Sequence, residues 1–125
     1  MKKILIVDDD TVFLKFMERL LTKHNHQVVT ATGGLKAIDL LNNYTPDIMY
    51  IELLLPDIDG ETLCKIIRGM DKSKAVWLVI LYDMVAEEWI DFPNLDANAH
   101  IAKGLFNEMA QQVLSVLDQP ELTYA

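Results

Sequence analysis

Residues 4–10 read ILIVDDD, four consecutive apolar side chains followed by three aspartates. Four apolar residues without alternation fit a strand covered on both faces, as in a parallel sheet buried between helices. The same unit recurs downstream. Residues 11–23 carry apolar side chains at 12, 13, 16, 17, 20 and 21, the stripe of an amphipathic helix, with Asp10 or Thr11 as its cap. Residues 27–31 form a second, more polar strand, suited to a place near an edge. Gly33 and Gly34 open a helix through Asn42 with Ala37, Ile38 and Leu41 inward, and Pro46 closes the turn after it. Residues 48–52 are a third strand, followed by the loop LLLPDIDG at 53–60.

Residues 61–69 then repeat the helical spacing with Leu63, Ile66, Ile67 and Met70. Strands are predicted over 76–81 and 99–102. A last helix over 105–117 places Leu105, Phe106, Met109, Val113, Leu114 and Leu117 on one side. Five such units in this rhythm imply an α/β, doubly wound parallel sheet with right-handed crossovers. The segment 84–96 breaks the rhythm. A fourth helix belongs there, but Pro93 and Asn94 interrupt it, so it is predicted to be short or distorted.

A length of 125 residues is one domain, placed at 1–118, with 119–125 as a tail or the start of a linker. An apolar fraction of 51% excludes a disordered chain. Apolar runs such as 76–82 are too short to span a bilayer, and the apolar stretch before Asp8 is too short for a signal peptide. The lone Cys64 has no partner for an internal disulfide, which points to a reducing, cytoplasmic setting. It also has no adjacent base in the sequence. A net charge of −8 is repelled by phosphate backbones, so direct nucleic-acid binding is not expected, nor is a membrane partner. His24 and His26 read as solvated, Trp77 and Trp89 as packing residues, and Met17, Met49 and Met70 as core.

In a doubly wound sheet the site lies beyond the carboxyl ends of the strands. The residues there are Asp8 to Asp10, Glu52 to Pro56, Tyr82 with Asp83, and Lys103. If the first and third strands are adjacent, Asp8, Asp9 and Glu52 converge. Hard carboxylate oxygens at one point suit Mg²⁺, and Lys103 can reach the same pocket as a point charge. The plainer alternative makes the aspartates caps of the first helix and Lys103 a surface residue. That alternative is strongest for Asp10.

The segments ILIVDDD, ATGGLKAIDLL, PDIMYIELLLPDIDG and IAKGLF resemble the receiver domain of two-component response regulators, from Lys3 to about Leu117. The resemblance implies a flavodoxin-like (βα)5 fold with strand order 2-1-3-4-5. It implies Mg²⁺ on Asp8 and Asp9, completed by the acceptor side chain at Glu52 and the backbone carbonyl of Leu54. It puts Glu52 at the phosphoacceptor position, four residues before Pro56, and Lys103 at the family's phosphoryl-pocket lysine. Asp59 and Gly60 match a structural turn. The implied partner is a protein: a histidine kinase, an output domain, or a second copy.

Four positions depart from the family pattern. Glu52 replaces the acceptor aspartate, and its extra methylene moves the carboxylate by more than an ångström, enough to cost about a hundredfold in a reaction that rests on positioning. It also carries the charge toward Lys103, partly imitating a phosphoryl group. Tyr82 stands where a short hydroxyl is usual. His100 replaces the switching aromatic, whose two rotamers form the bistable element. Gly104 follows Lys103 in place of proline, and a cis bond there would cost about 2.5–4 kcal/mol. With the metal half kept and the switch half altered, the expectation is a phosphorylation-independent interaction module, or pseudo-receiver, with weak Mg²⁺ binding and no enzymatic activity. A working phosphorelay receiver is the alternative. More remote are a haloacid-dehalogenase-like phosphohydrolase, on the pattern Asp8, Asp10, Val12, and an unrelated flavin-binding flavodoxin-like domain.

Overall fold

The computed structural model describes residues 1–118, so the expected tail at 119–125 lies outside the described residues. The elements run β1 (Lys3–Val7), α1 (Thr11–Lys23), β2 (Gln27–Ala31), α2 (Gly34–Leu41), β3 (Ile48–Glu52), α3 (Gly60–Gly69), β4 (Trp77–Asp83), β5 (Ala99–Lys103) and α4 (Phe106–Val116). The strands form one sheet in the order β2-β1-β3-β4-β5, every neighbouring pair parallel. This is the doubly wound α/β architecture expected from the sequence.

Successive strand residues point to opposite faces, and each face is dry. Leu5, Val7, Met49, Ile51, Leu78 and Ile80 pack against Ala37, Leu41, Leu63 and Ile67 of α2 and α3. Ile4, Ile6, Ile48, Tyr50, Val79 and Leu81 pack against Phe13, Met17 and Leu21 of α1 and Met109 and Val113 of α4. Tyr50 is fully buried, yet its hydroxyl donates to the Val113 carbonyl at 2.8 Å, so no polar atom is stranded there.

Local chemistry sets the helix ends. Asp10 caps α1, accepting the N–H groups of Val12 and Phe13 at 3.0 and 3.1 Å. Asp59 caps α3 by accepting the Thr62 N–H at 2.7 Å. Gly60 follows because a Cβ there would lie 2.7 Å from the Glu52 carbonyl oxygen and 2.9 Å from the Leu53 Cα, so no larger residue fits against the end of β3.

Between β4 and β5 the structure has two 3₁₀ turns, Met84–Trp89 and Phe92–Asn94, and no α-helix. None of their residues is buried. A helix this short draws its stability from packing, and Pro93 removes a backbone donor besides. The distortion expected from the sequence therefore goes to loss of the helix.

Several residues expected to be inward are not. Val12 is 75% exposed, because α1 turns Phe13, Leu14, Met17 and Leu21 to the sheet. Leu105 lies before α4 with extended backbone, off the helix face, and Phe106 opens the helix turned outward. Ile66 sits at the margin of the α3 stripe, where Leu63, Cys64 and Ile67 take the buried positions. Trp89, expected as a packing residue, is 79% exposed on the first 3₁₀ turn.

Candidate functional site

Three strand ends meet at one edge of the sheet. β1 and β3 are neighbours, as are β4 and β5, and the registers bring Glu52 opposite Leu81 and Lys103 opposite Asp83. Lys103 reaches back over β4's end so that its Nζ lies 2.6 Å from Asp8 Oδ2 and 2.6 Å from Glu52 Oε1. The ammonium also sits 4.2 Å from the centroid of the Phe13 ring.

Every carboxylate oxygen of the pair is engaged. Asp8 is buried, and its Oδ1 accepts the Asp10 N–H at 2.9 Å. Glu52 Oε2 accepts the Leu54 N–H at 3.2 Å. Burial alone would lower the lysine's pKa. Hydrogen bonds to Asp8 and Glu52, and then their charges, outweigh burial and hold it above the ordinary value. Two carboxylates around one ammonium leave one net negative charge at the centre.

Asp9 is exposed at the mouth, and Leu54 is an exposed loop residue whose N–H serves Glu52. The donors are hard oxygens of the kind Mg²⁺ takes. Their arrangement does not gather them, however. Among the described residues no group of three or more His, Cys, Asp or Glu side chains is placed to hold a metal ion. A cation at Asp8 would have to compete with the Lys103 ammonium for Oδ2.

Tyr82 and His100 form a second group. The Tyr82 ring is buried, with its centroid 5.2 Å from that of Phe92 and 6.0 Å from that of His100. Its hydroxyl meets Glu87 Oε1 at 3.4 Å. Burial and then the Glu87 charge push the phenol's pKa up. His100 is exposed and stacks on Phe92 at 4.0 Å and 26°. The structure thus brings Asp8, Glu52 and Lys103 together, and separately Tyr82, Phe92 and His100.

Three participants escaped the sequence reading. Phe13 underlies Lys103, although its inward helical position marks it only as core. Phe92 completes the aromatic group from the broken segment. Asp57 clamps the loop after β3 to the start of α2, accepting from Gly34 at 3.0 Å and Leu35 at 2.9 Å. Those bonds hold its carboxyl below the usual range, the one from Leu35 contributing most. An Asp after a loop proline is a turn signal, but nothing local reveals a bond 22 residues away.

The sequence model of the response regulator receiver domain matches residues 4–114. The chain belongs to that family. Receiver domains are signalling modules of two-component systems, and the phosphohydrolase and flavin-binding readings give way to this one. The receiver is 32% identical over 83 residues to the transcriptional regulatory protein AfsQ1 of Streptomyces coelicolor, an overlap covering 66% of this chain and 37% of that protein. It is 30% identical over 97 residues to the response regulator MprA of a Mycobacterium species, covering 78% and 41%. The chain therefore spans less than half the length of these relatives. A crystal structure of the receiver domain of the sensor histidine kinase PA1611 from Pseudomonas aeruginosa, with a magnesium ion coordinated in its active-site cleft, superposes with a TM-score of 0.78 over 92% of this chain and 95% of that one. At 21% identity that likeness speaks for the fold.

Proposed function

We propose that this receiver domain works as a phosphorylation-independent protein-interaction module, with Glu52 at the position of the family's phosphorylated aspartate. One observation carries the reading: Glu52 reaches Lys103 at 2.6 Å and closes its second oxygen onto the Leu54 N–H, so the acceptor carboxylate has no free oxygen. An attacking carboxylate must leave those partners and align with a phosphoryl donor. A displacement of an ångström in such a step costs about a hundredfold. The same contacts give Glu52 a share of what a phosphoryl group would provide, one negative charge directed at the lysine.

Mg²⁺ enters this proposal as a weakly held ion on Asp8, Asp9, Glu52 and the Leu54 carbonyl, with Lys103 as its competitor for Asp8 and Glu52. No step depends on it. The partner is a protein, either a histidine kinase, an output domain on a longer chain, or a second copy. Nucleic acid is disfavoured by the charge of −8. No helix among the described residues is long and apolar enough to cross a membrane, and a cytoplasmic setting is part of the proposal.

The test is intact-mass spectrometry after incubation with acetyl phosphate and Mg²⁺, with beryllofluoride addition followed by NMR. The expected result is no phosphoryl adduct and no large spectral change. Glu52→Asp withdraws the carboxylate by one carbon and is expected to gain measurable acceptance. A stable acyl phosphate on Glu52 in the unmodified sequence would overturn the proposal in favour of a working phosphorelay receiver.

A further inference from the structure

Two surface features take no part in the acid–lysine centre. Val12, Lys15, Phe16, Arg19, Leu20 and Lys23 line an open groove of about 440 Å³ along α1. They recur at i, i+3, i+4, i+7, i+8 and i+11, a second helical stripe distinct from the one facing the sheet. Half of them are cations, on a chain whose net charge is −8. Phe106, 60% exposed, extends the apolar floor by packing 4.9 Å from Phe16.

The second feature is the segment Met84–Trp89, which buries no residue. Val85 and Trp89 are 76% and 79% exposed. Asp83, Glu87, Glu88 and Asp91 surround them and are exposed as well. An apolar, acidic strip led by a tryptophan is the complement of an apolar, basic groove.

The two features belong to opposite layers. α1 covers the face built from Ile4, Ile6 and Tyr50. Ile90 and Phe92, which continue the acidic segment, pack against the face built from Val7, Ile51 and Ile80. Contact between groove and segment is therefore intermolecular. A two-fold dimer through either feature alone would oppose cations to cations or acids to acids. A head-to-tail arrangement pairs them, one contact per neighbouring pair being all that two features on opposite layers require, and such an interface closes into a ring or runs on.

We propose that copies of this chain associate head to tail, with the Trp89-bearing acidic segment of one copy seated in the cationic groove of α1 on the next. Trp89 is the anchor, a large ring entering a groove floored by Phe16 and Leu20 and flanked by Arg19. Glu88 and Glu87 meet Lys15 and Lys23, which steers together copies that their net charge otherwise keeps apart. The patches are small, so the contact belongs to the weak class that buries less than about 1,200 Å². The proposal goes beyond the interaction-module reading and does not involve Glu52. Its failure leaves that reading intact, and an acyl phosphate on Glu52 leaves this one intact.

Sedimentation equilibrium of the whole chain up to millimolar concentration tests it, with two variants at exposed positions whose circular dichroism should match wild type. Lys15→Glu/Arg19→Glu spoils the groove and keeps the segment. Glu88→Gln/Trp89→Ala spoils the segment and keeps the groove. Wild type should rise above 14.3 kDa with concentration and fall back as salt is raised. Each variant alone should remain monomeric. An equimolar mixture should form a heterodimer and stop there, since it holds one intact groove and one intact segment. A wild type that stays monomeric throughout, a variant that associates as wild type does, or a mixture that remains monomeric would overturn the proposal.

Discussion

Replacing Lys103 with methionine keeps most of the side chain's volume and removes its charge. The ammonium hydrogen-bonds two carboxylates at 2.6 Å each, in surroundings where the side chains of Lys103, Asp8 and Glu52 are 21%, 1% and 13% exposed. A buried ion left without its partner costs about 3–5 kcal/mol. Partial exposure of Glu52 lets water take over some of that interaction. Asp8 also keeps its bond from the Asp10 N–H. A loss of about 3 kcal/mol follows, a large share of the roughly 5–15 kcal/mol that holds a domain folded. With a urea m-value of about 1–2 kcal/mol/M, the unfolding midpoint should drop by about 1.5–3 M.

The pH dependence carries a sign. The folded pKa of Lys103 lies above its unfolded value. Its contribution is therefore complete below the unfolded value, about 10.4, and is lost as pH rises through the folded one. Glu52→Gln in the Lys103→Met background should recover part of the loss, and the double-mutant cycle isolates the pair. A loss under about 0.5 kcal/mol, the scale of an exposed ion pair, would refute the account of a closed acid–lysine centre.

Asp57→Asn removes a carboxylate that caps α2 from the other side of a loop. Hydrogen exchange at the Gly34 and Leu35 amides should quicken, with a stability loss of about 0.5–1 kcal/mol after allowing for solvent screening. Because that carboxyl titrates below its ordinary value, its contribution is present above about pH 3.9 and disappears as pH falls through the lower folded value. Arg68→Ala should cost about 2 kcal/mol in a denaturant titration. Its guanidinium donates to the carbonyls of Asp96, Lys74 and Val76 and to Asn98 Oδ1, tying the entry of β4 to the entry of β5.

Much of this was legible in the sequence because of where it is written. Unalternating runs such as Ile4 to Val7 admit few placements other than a sheet covered on both sides. Strand ends in a doubly wound sheet point to one edge, so Asp8, Glu52 and Lys103 could be brought to one crevice once the family resemblance supplied the strand order. The broken segment was legible only as a break. Pro93 signals interruption, but the choice of 3₁₀ turns over a short helix rests on an absence of burial that pattern does not show. Val12 failed for a related reason. α1 carries two apolar stripes, and only its rotation against the sheet decides which one is buried. Asp57, Phe92 and the second role of Phe13 depend on contacts across loops, which no local spacing encodes.

The separation of the two side-chain groups bears most directly on signalling. A switch needs a two-state element whose equilibrium the site can bias. In this chain Glu52 and Asp8 spend their oxygens on Lys103 and on backbone N–H groups. Tyr82 turns its hydroxyl to Glu87, and His100 lies flat on Phe92. Among the described residues no side-chain hydrogen bond joins the acid–lysine centre to this aromatic group. A change of charge at position 52 therefore has a side-chain hydrogen-bonded route as far as Lys103. Tyr82 and His100 are instead tied to Glu87 within the exposed acidic segment and to Phe92 just after it. That separation supports the proposed module read in a single conformation.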